Sequence, residues 1–591
     1  MQNRVLNHFT GRIFLFGITV TVLALLVACG STAPDQTAAP AADTAAPTQP
    51  AAPTAADSAA PTAVPAQAGT APESADRGKY GGIITAQNTG SVAHWSVWHC
   101  GSGGTCMAPT APLYSGLVQY NGETPDPLDI RGDLATEWDV SEDGTSYTFY
   151  LAENAKWWDG TPVIADDVVF SLDEMVRDDV PRPRAGQFRP YYESSRAIDP
   201  KTVEVTLKFA SSAFLQFQAT EFVKIKPKHH FDDPDVDMKK EENILGSGPF
   251  KLKEYKKDIS IEYEKYEDYH KEGYPYVDGL QFFIIPDSST ILAAYLSGQV
   301  MMTTHQNSNL NIREGEQLQG RLGDRATVYY PGPTNWVGLM MNTEREPFDD
   351  VRVRKAMHLA LHRQPFIDAF GNGRYYLGGP FPPDQWFSLS TEELAQLPGY
   401  RQTADGEKHP DDIAAAKALM TEAGYADGFE TTILAANFLG FPDHAQMAAD
   451  QLRRFLNVTA EVQPAEATAG YARYESGDWE FGVHGNGFLI LDPDAIIGGS
   501  YLATGTRNYS GWEPPRITEL FNQQIRETDQ TKRREVVQQM ADYMRDEDSH
   551  VIIMHWSRLV FVVDSRIQNF NLPATFSSHN NKAHLWCDPA C

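Results

Sequence analysis

The sequence predicts a large α/β protein of two or three lobes behind an N-terminal secretion segment. Stretches with alternating apolar residues, typical of strands, follow stretches with a helical period of 3.6 residues along the whole chain after residue 76. With 591 residues in all, the chain is also too long for a single hydrophobic core. These two observations predict the fold class and leave an α/β or an α+β construction open.

The first 28 residues have the parts of a signal peptide. Arg4 and Arg12 supply positive charge, and residues 13–27 are uncharged and apolar. That run of about 15 residues is shorter than the roughly 20 that a membrane-spanning helix requires. Small residues precede Cys29, as in the bacterial lipobox, where the thiol is acylated and the chain is cut before it. We therefore predict a signal peptide over residues 1–28 and lipidation at Cys29; an unmodified signal peptide or short anchor is the alternative.

Residues 29–76 are predicted to form a tether between the lipid and the folded region. From Ser31 to about Asp76 the chain consists almost entirely of Ala, Pro, Thr and Ser. Such a segment has too little apolar surface to offset the entropy of ordering, and its prolines keep it extended. The predicted location is therefore extracytoplasmic, at the periplasmic or outer face of the cell membrane.

Composition and motifs exclude several classes of function. The formal net charge of −29 opposes binding to nucleic acid, and no basic, aromatic-rich stretch suggests it. The sequence contains none of the HExxH, GxSxG or Walker-type motifs. Asp492 and Asp494 could supply paired carboxylates for acid–base work, but such pairs beside a proline are usually turn residues. We predict that the protein is not an enzyme, with a lipoprotein hydrolase as the less favoured alternative.

The cysteines fit an oxidising compartment. Apart from Cys29 they are Cys100, Cys106, Cys587 and Cys591, an even number. Local pairing, Cys100 with Cys106 and Cys587 with Cys591, is favoured among three possible connectivities. Zinc binding with the nearby histidines 94, 99 and 584 is the alternative, but the spacing matches no common zinc module. We predict disulfides and no metal or other cofactor.

Individual elements follow from the periodicity. Alternating residues predict strands at 146–151, 203–209 and 259–266, and the apolar run 280–285 predicts a strand covered on both faces. A stripe from Ile164 to Met175 predicts a helix that Thr161 and Pro162 would begin. Further stripes predict helices at 413–423 and 445–455, and Asp349–Asp350 predicts a cap for the helix at 351–360.

Short segments spread over the folded region carry a family resemblance. The most specific is residues 157–162, Trp-Trp-Asp-Gly-Thr-Pro, followed by Ala165 to Val168. In the expected order, further matches lie at 113–117, 133–138, 141–149, 246–250, 286–298 and 342–354. Together they make the chain resemble the extracellular solute-binding proteins of family 5, the oligopeptide and dipeptide binders of ABC importers. The motifs hold turns and helix caps, so they indicate the fold and do not identify the ligand.

The resemblance implies a two-lobe, periplasmic-binding-protein-like (type II, cluster C) fold with a hinge and an extra third domain. Lobe I would combine residues 77–112, 245–335 and 549–591, the extra domain would span 113–244, and lobe II would span 336–548. It also implies a monomer that captures a peptide or other small organic solute between the lobes. The loaded protein would deliver that solute to ABC permease and ATPase subunits. A sensory lipoprotein, or a binder of oligosaccharides or metal complexes, is the alternative.

Candidate ligand contacts follow from the same resemblance. In the family's peptide binders an aspartate shortly before an Asp-Pro pairs with the free amino group of the peptide, and Leu489 occupies that position here. Leucine cannot form this ion pair, so Asp492 or Asp494 would have to replace it. Loop residues and aromatic side chains complete the predicted set of substrate-binding residues: Trp95, Trp98, Trp386, His484, Asn486 and Tyr509.

Overall fold

A computed structural model describes residues 79–591, with gaps at Cys100, Pro181, 234–235, 306–307, Thr334, 438–439, Thr506 and 589–590. The predicted signal peptide, Cys29 and the tether lie outside the described residues. Three sheets organise the rest: a seven-stranded sheet, a six-stranded sheet and a four-stranded antiparallel sheet. In the described part of the chain, no helix is both long enough and apolar enough to cross a membrane.

The seven-stranded sheet draws its strands from both ends of the folded region. Its central strands Ile83–Asn88 and Gly279–Ile284 are parallel, and Gly279–Ile284 coincides with the predicted buried run. An antiparallel strand, Ser260–Lys265, follows on one side. The full order across the sheet is Ala326–Tyr329, Phe561–Asp564, Met302–Thr303, Ile83–Asn88, Gly279–Ile284, Ser260–Lys265 and Phe250–Lys256.

The six-stranded sheet mixes parallel and antiparallel pairs. Its strand order is Tyr376–Leu377, Val551–Ser557, Asn335–Met341, Phe481–Gly487, Glu430–Ala436 and Thr459–Ala465. The last three are parallel to one another, whereas Asn335–Met341 is antiparallel to both of its neighbours. The strand Val551–Ser557 falls within the segment predicted for lobe I. Because it pairs in this sheet, the chain leaves the second sheet only after Ser557.

The four-stranded sheet lies wholly within the predicted extra domain, in the order Ala135–Val140, Ser146–Leu151, Thr202–Leu207 and Tyr192–Asp199. Alternate residues of Ser146–Leu151 are buried, as the sequence pattern predicts, and Thr202–Leu207 shows the same alternation. Two small ribbons complete the strands: Val118–Tyr120 with Ile130–Gly132, and Ile567–Gln568 with Trp586–Cys587.

Amphipathic helices cover the sheets. The longer ones are Ala165–Val176, Ser288–Ser297, Ile312–Leu322, Val351–Ala360, Gln364–Gly371, Pro410–Glu422, Phe441–Leu456, Ala467–Ser476, Pro493–Ser500, Pro515–Gln524 and Gln530–Asp542. Shorter helical segments are Gly103–Met107, Ala108–Thr110, Ala185–Gln187, Phe214–Gln218, Lys228–Phe231, Glu241–Asn243, Gly323–Arg325, Thr391–Leu394 and Tyr543–Glu547. Asp350 caps Val351–Ala360 by accepting a hydrogen bond from the Arg352 amide, as predicted.

One predicted helix start is wrong. The helix expected to begin at Thr161–Pro162 begins at Ala165. Thr161 instead donates its amide and hydroxyl to Asp159 in a tight turn. Asp167 instead stabilises the first turn of the helix, because its carboxylate accepts a hydrogen bond from the Ile164 amide.

Two neighbouring segments connect the large sheets. One runs from Tyr329 to Asn335, and the other from Ser557 to Phe561. They are hydrogen-bonded to each other, because the Leu559 amide donates to the Pro331 carbonyl at 2.9 Å. Gly332 has φ of +147°, and a Cβ there would lie 2.8 Å from the Ser557 carbonyl oxygen, so this position requires glycine.

Candidate ligand-binding site

The candidate site lies at the carboxyl end of the strand Phe481–Gly487. Asn335, the first residue of the neighbouring strand, is paired with Gly487. A Cβ on Gly487 would lie 2.4 Å from Asn335 Oδ1 and 3.6 Å from a ring carbon of Phe576, so the absent side chain makes room here. Phe576 comes from the C-terminal segment that follows the seven-stranded sheet. The six-stranded sheet and the C-terminal segment therefore contribute residues to one location, at the strand ends where α/β proteins bind ligands.

His484 lies inside an aromatic shell two residues before Asn486. Its ring centre is 5.4 Å from that of Tyr509 and 5.9 Å from that of Trp336, and Tyr471 and Tyr474 lie at 5.6 and 5.5 Å. The side chain is fully buried, and neither ring nitrogen has a hydrogen-bond partner among the described residues. Burial, and then the charge of Arg507, lower the pKa of His484 to about 3, so the ring is neutral.

Arg507 forms the outer edge of this shell. Its guanidinium donates to the Tyr509 hydroxyl at 2.7 Å and lies 5.5 Å from the centre of the Tyr471 ring. Both contacts leave most of its donors free for other acceptors, since a guanidinium carries five N–H groups. Tyr509 therefore contacts both groups: its hydroxyl accepts from the Arg507 guanidinium, and its ring packs near the buried His484 ring.

A second arginine, Arg184, approaches from the segment that precedes the four-stranded sheet's strand Tyr192–Asp199. It lies 5.0 Å from the centre of the Phe222 ring and 5.9 Å from that of Phe576. One of its terminal nitrogens donates to the Gly101 carbonyl, but the buried Nε has no partner in the described part of the chain. Burial, and then the nearby charge of Arg507, lower the pKa of Arg184 to about 10.

This arrangement presents hydrogen-bond donors and aromatic faces, and it is short of negative charge. Within the described residues, neither Arg184 nor Arg507 has a carboxylate partner; their polar contacts are the Gly101 carbonyl and the Tyr509 hydroxyl. Aromatic rings can stack on planar parts of a solute, while guanidinium groups and a neutral imidazole bind acceptor atoms. The site is thus suited to binding a solute rich in acceptors.

The predicted acidic contacts do not belong to this site. Asp492 accepts two hydrogen bonds from Arg533, at 2.6 and 2.8 Å, and Asp494 accepts one at 2.8 Å. Asp492 also caps the helix Pro493–Ser500. Because both carboxylates are ion-paired with Arg533 in the interior, we leave Asp492 and Asp494 out of the candidate site.

The predicted tryptophans likewise serve the core. Trp386 lies 5.4 Å from the Arg533 guanidinium and covers that buried ion pair. Trp95 is buried against Tyr255, and Trp98 contacts Phe170 and the Lys226 ammonium. We therefore leave all three out of the candidate site.

Leu489 and Asn486 border the site. The side chain of Leu489 is fully buried, and its carbonyl accepts hydrogen bonds from Thr575 and Ser577 at 2.7 and 2.6 Å. Asn486 is half-buried and donates to Ser500 at 3.0 Å. The structure thus brings His484, Asn486 and Tyr509 of the predicted set together. Sequence reasoning missed Arg184, Arg507, Tyr471, Trp336 and Phe576, which carry no motif or spacing that would mark them.

One of the two predicted local cysteine pairs is present in the described part of the chain. Cys587 and Cys591 form the predicted disulfide. Cys106 is also disulfide-bonded, whereas Cys100 lies outside the described residues. Among the residues placed by the structure, no group of three or more His, Cys, Asp or Glu side chains is arranged to hold a metal ion.

Two surface depressions lie apart from the site. One is lined mainly by the helix Phe441–Leu456 together with His362 and Pro365. The other is lined by Tyr80, Asn154 and residues between Lys265 and Tyr274. Neither includes His484 or an arginine of the candidate site.

The fold is that of a two-lobe, type II periplasmic binding protein, and comparison with known structures confirms the predicted fold class. The ABC transporter-associated periplasmic binding protein DppA from Helicobacter pylori, solved in complex with the peptide STSA, matches with a TM-score of 0.70 at 23% identity. The match covers 86% of this chain and 98% of that protein.

Sequence comparison identifies the family. The model for bacterial extracellular solute-binding proteins, family 5 Middle, matches residues 129–508. The dipeptide-binding protein of Escherichia coli K12 is 28% identical over 482 residues, 77% of this chain and 85% of that protein. The heme-binding protein A of Haemophilus influenzae is 26% identical over 484 residues, 76% of this chain and 82% of that protein. The chain belongs to family 5 of the bacterial extracellular solute-binding proteins, which confirms the resemblance seen in the sequence.

Proposed function

We propose that this protein is the substrate-binding lipoprotein of an ABC importer, which captures a small organic solute between its lobes and delivers it to the membrane permease. The observation that carries the proposal is the cluster of buried nitrogen donors and aromatic rings near the carboxyl end of the strand Phe481–Gly487. There His484 and Arg184 present buried nitrogen atoms that have no partner among the described residues. Buried polar atoms are normally satisfied, so these are the atoms that a bound solute would satisfy.

The lobes would move about the two segments that connect the sheets. We propose that lobe I consists of residues 77–112, 245–335 and the C-terminal segment after Ser557. The extra domain would span residues 113–244, and lobe II would span residues 336–557. A solute that contacts both lobes favours the closed form, because only that form makes all of the contacts. The closed, loaded protein would be the form that the permease binds.

The anchor and the location belong to the same proposal. Lipidation of Cys29 would hold the protein at the outer face of the cytoplasmic membrane, and residues 29–76 would let the folded region reach the permease. We propose a monomer that binds without chemical turnover, which agrees with relatives named as binding proteins. Those names also differ in ligand, dipeptide in one case and heme in the other, so the family leaves the ligand of this chain open.

A thermal-shift screen of the full chain in mild detergent tests the proposal. The compounds are di- to octapeptides, oligosaccharides, amino acids, organic acids, heme and metal ions. A ligand that binds only the native state raises the melting temperature with the logarithm of its concentration above the Kd. We expect at least one organic solute to do so without being converted into a product. Product formation would contradict the proposal, as would the absence of any shift across the panel.

A further inference from the structure

We propose that the solute bound by this protein carries an oxyanion, a carboxylate or a phosphate, held between Arg184 and Arg507. We propose in addition that a free ammonium group is not part of its recognition. This inference rests on the proposed function, because it names the chemical class of the solute that the site between the lobes would take.

The first step is the geometry of the two arginines. Phe576 lies 5.9 Å from the Arg184 guanidinium and also borders Gly487, three residues after His484. Arg507 reaches the same strand end through Tyr509, whose ring lies 5.4 Å from that of His484. Both guanidinium groups therefore lie near the carboxyl end of the strand Phe481–Gly487. Their proximity is supported by the lowered pKa of Arg184, to which Arg507 contributes.

The second step is the lack of a protein counter-charge. Two other buried arginines have carboxylate partners: Arg533 holds Asp492 and Asp494, and Arg354 holds Asp548. The buried Arg363 has none, but the carbonyls of Ile553 and Gly399 accept its hydrogen bonds. Arg184 and Arg507 have none within the described residues. Two like charges brought together in a poorly solvated space repel each other, and an oxyanion between them would remove that repulsion. Guanidinium groups suit this ligand because their fork matches a carboxylate or phosphate.

The carboxylates near the site determine whether it can receive an ammonium group of the solute. Leu489 offers only an engaged carbonyl, and the carboxylates nearby already have protein partners. Asp492 and Asp494 are ion-paired with Arg533, and Glu221 is ion-paired with Lys224. An ammonium group placed at this turn would have to compete with Arg533 or Lys224 for a carboxylate, and it would be repelled by the positive charge of Arg507. The site therefore favours an anionic solute whose amine is blocked or missing over a free peptide.

Isothermal titration of the full chain with matched compounds tests the inference. The compounds are N-acetyl dipeptides with a free carboxylate, the same dipeptides as C-terminal amides, the unblocked dipeptides, and sugar phosphates beside their parent sugars. Losing one partner of a buried charge pair costs enough to weaken binding by about 30-fold or more. We expect that difference between an oxyanion and its neutral match, and the pair that shows it distinguishes carboxylate from phosphate.

Five variants test whether the effect depends on the two arginines. Arg184→Gln and Arg507→Gln should each reduce the preference for the oxyanion to about threefold or less. Arg526→Gln and Arg454→Gln are the matched controls, because these exposed arginines also lie over rings, at 4.7 and 5.0 Å, outside the site. Arg184→Lys retains the charge and should keep part of the preference, which separates loss of charge from damage to the fold.

Three outcomes overturn the inference: acids and amides that bind equally well, unblocked dipeptides that bind more tightly than acetylated ones, or arginine variants that keep the full preference. In each of them a solute still binds and the proposed function stands. Failure of every compound here and in the thermal-shift screen would instead contradict both the proposed function and this inference.

Discussion

Arg533 forms a buried network with Asp492 and Asp494. We predict that replacing these two aspartates by asparagine, one at a time, changes the stability of the protein in opposite directions. Asp492 accepts hydrogen bonds on both oxygens from Arg533, whereas Asp494 has one buried oxygen with no partner among the described residues. Burial raises the pKa of Asp494 from 3.8 to about 6, despite the opposing charge of Arg533. The change tested is Asp494→Asn, with Asp492→Asn as its matched control.

The magnitude follows from the pKa of Asp494. A carboxyl whose pKa is higher in the folded state than in the unfolded state is destabilising above that pKa, by about 1.4 kcal/mol for a tenfold change in its acid dissociation constant. For a rise from 3.8 to about 6, ionisation of Asp494 costs on the order of 3 kcal/mol at pH 8. The penalty is absent below pH 3.8 and grows as the pH rises towards about 6. Asp494→Asn removes the charge and should stabilise the protein at pH 8 by about 1 to 3 kcal/mol.

Asp492→Asn should have the reverse effect. It breaks the two-point ion pair with Arg533 and leaves that buried charge with poorer partners, which costs about 3 kcal/mol. Urea unfolding of both variants and the wild type at pH 8 and pH 4 measures the difference. Asp494→Asn should lose most of its advantage at pH 4. A variant Asp494→Asn that is destabilised as much as Asp492→Asn at pH 8 would refute the reasoning.

Three further predictions follow from other parts of the structure. Gly332→Ala should lower the free energy of unfolding by about 1 to 3 kcal/mol in urea, because its φ of +147° and the nearby Ser557 carbonyl oppose a Cβ; no change would contradict this strain. Cys587→Ser should cost about 2 kcal/mol by the loop-entropy estimate for a bridge across four positions. A reducing agent should cost this variant less stability than the wild type, because the variant has only the disulfide of Cys106 left to lose. The lowered pKa of the buried His484, about 3, means that stability should fall as the pH drops below about 6.5, and His484→Gln should reduce that slope by up to about 1.4 kcal/mol per pH unit. An unchanged slope in His484→Gln, measured by urea unfolding between pH 4.5 and 6.5, would place the acid sensitivity elsewhere.

The fold could be predicted from the sequence largely because its cues are local. The alternation in Ser146–Leu151 and the cap at Asp350 depend on neighbours within a few residues, and the structure shows both. The start at Thr161 was wrong because the same residue can cap a helix or close a turn. Whether Thr161 caps the helix or closes the turn depends on Asp159, which accepts its amide, and on the position of Asp167. One oxygen of Asp167 accepts from the Ile164 amide, and the other accepts from the distant Lys228 amide.

The site was less predictable because it is assembled from distant segments. His484 and Tyr509 could be named as candidates from the sequence, because both lie near the turn that the family resemblance aligns. Arg184 and Arg507 are separated by more than half of the chain, and each resembles any surface arginine until burial and missing partners are known. The ion pair of Asp492 was unpredictable for the same reason, because its partner Arg533 lies 41 positions away.

The central claim is that the solute binds between the lobes, against Arg184, His484 and Arg507. Hydrogen–deuterium exchange of the full chain, with and without the best solute from the screen, tests it most directly. The expected result is ligand-dependent protection in peptides that cover residues 182–188, 484–491, 507–509 and 575–578, from both sides of the site. Protection confined to one surface, such as the depression beside the helix Phe441–Leu456, would contradict the claim.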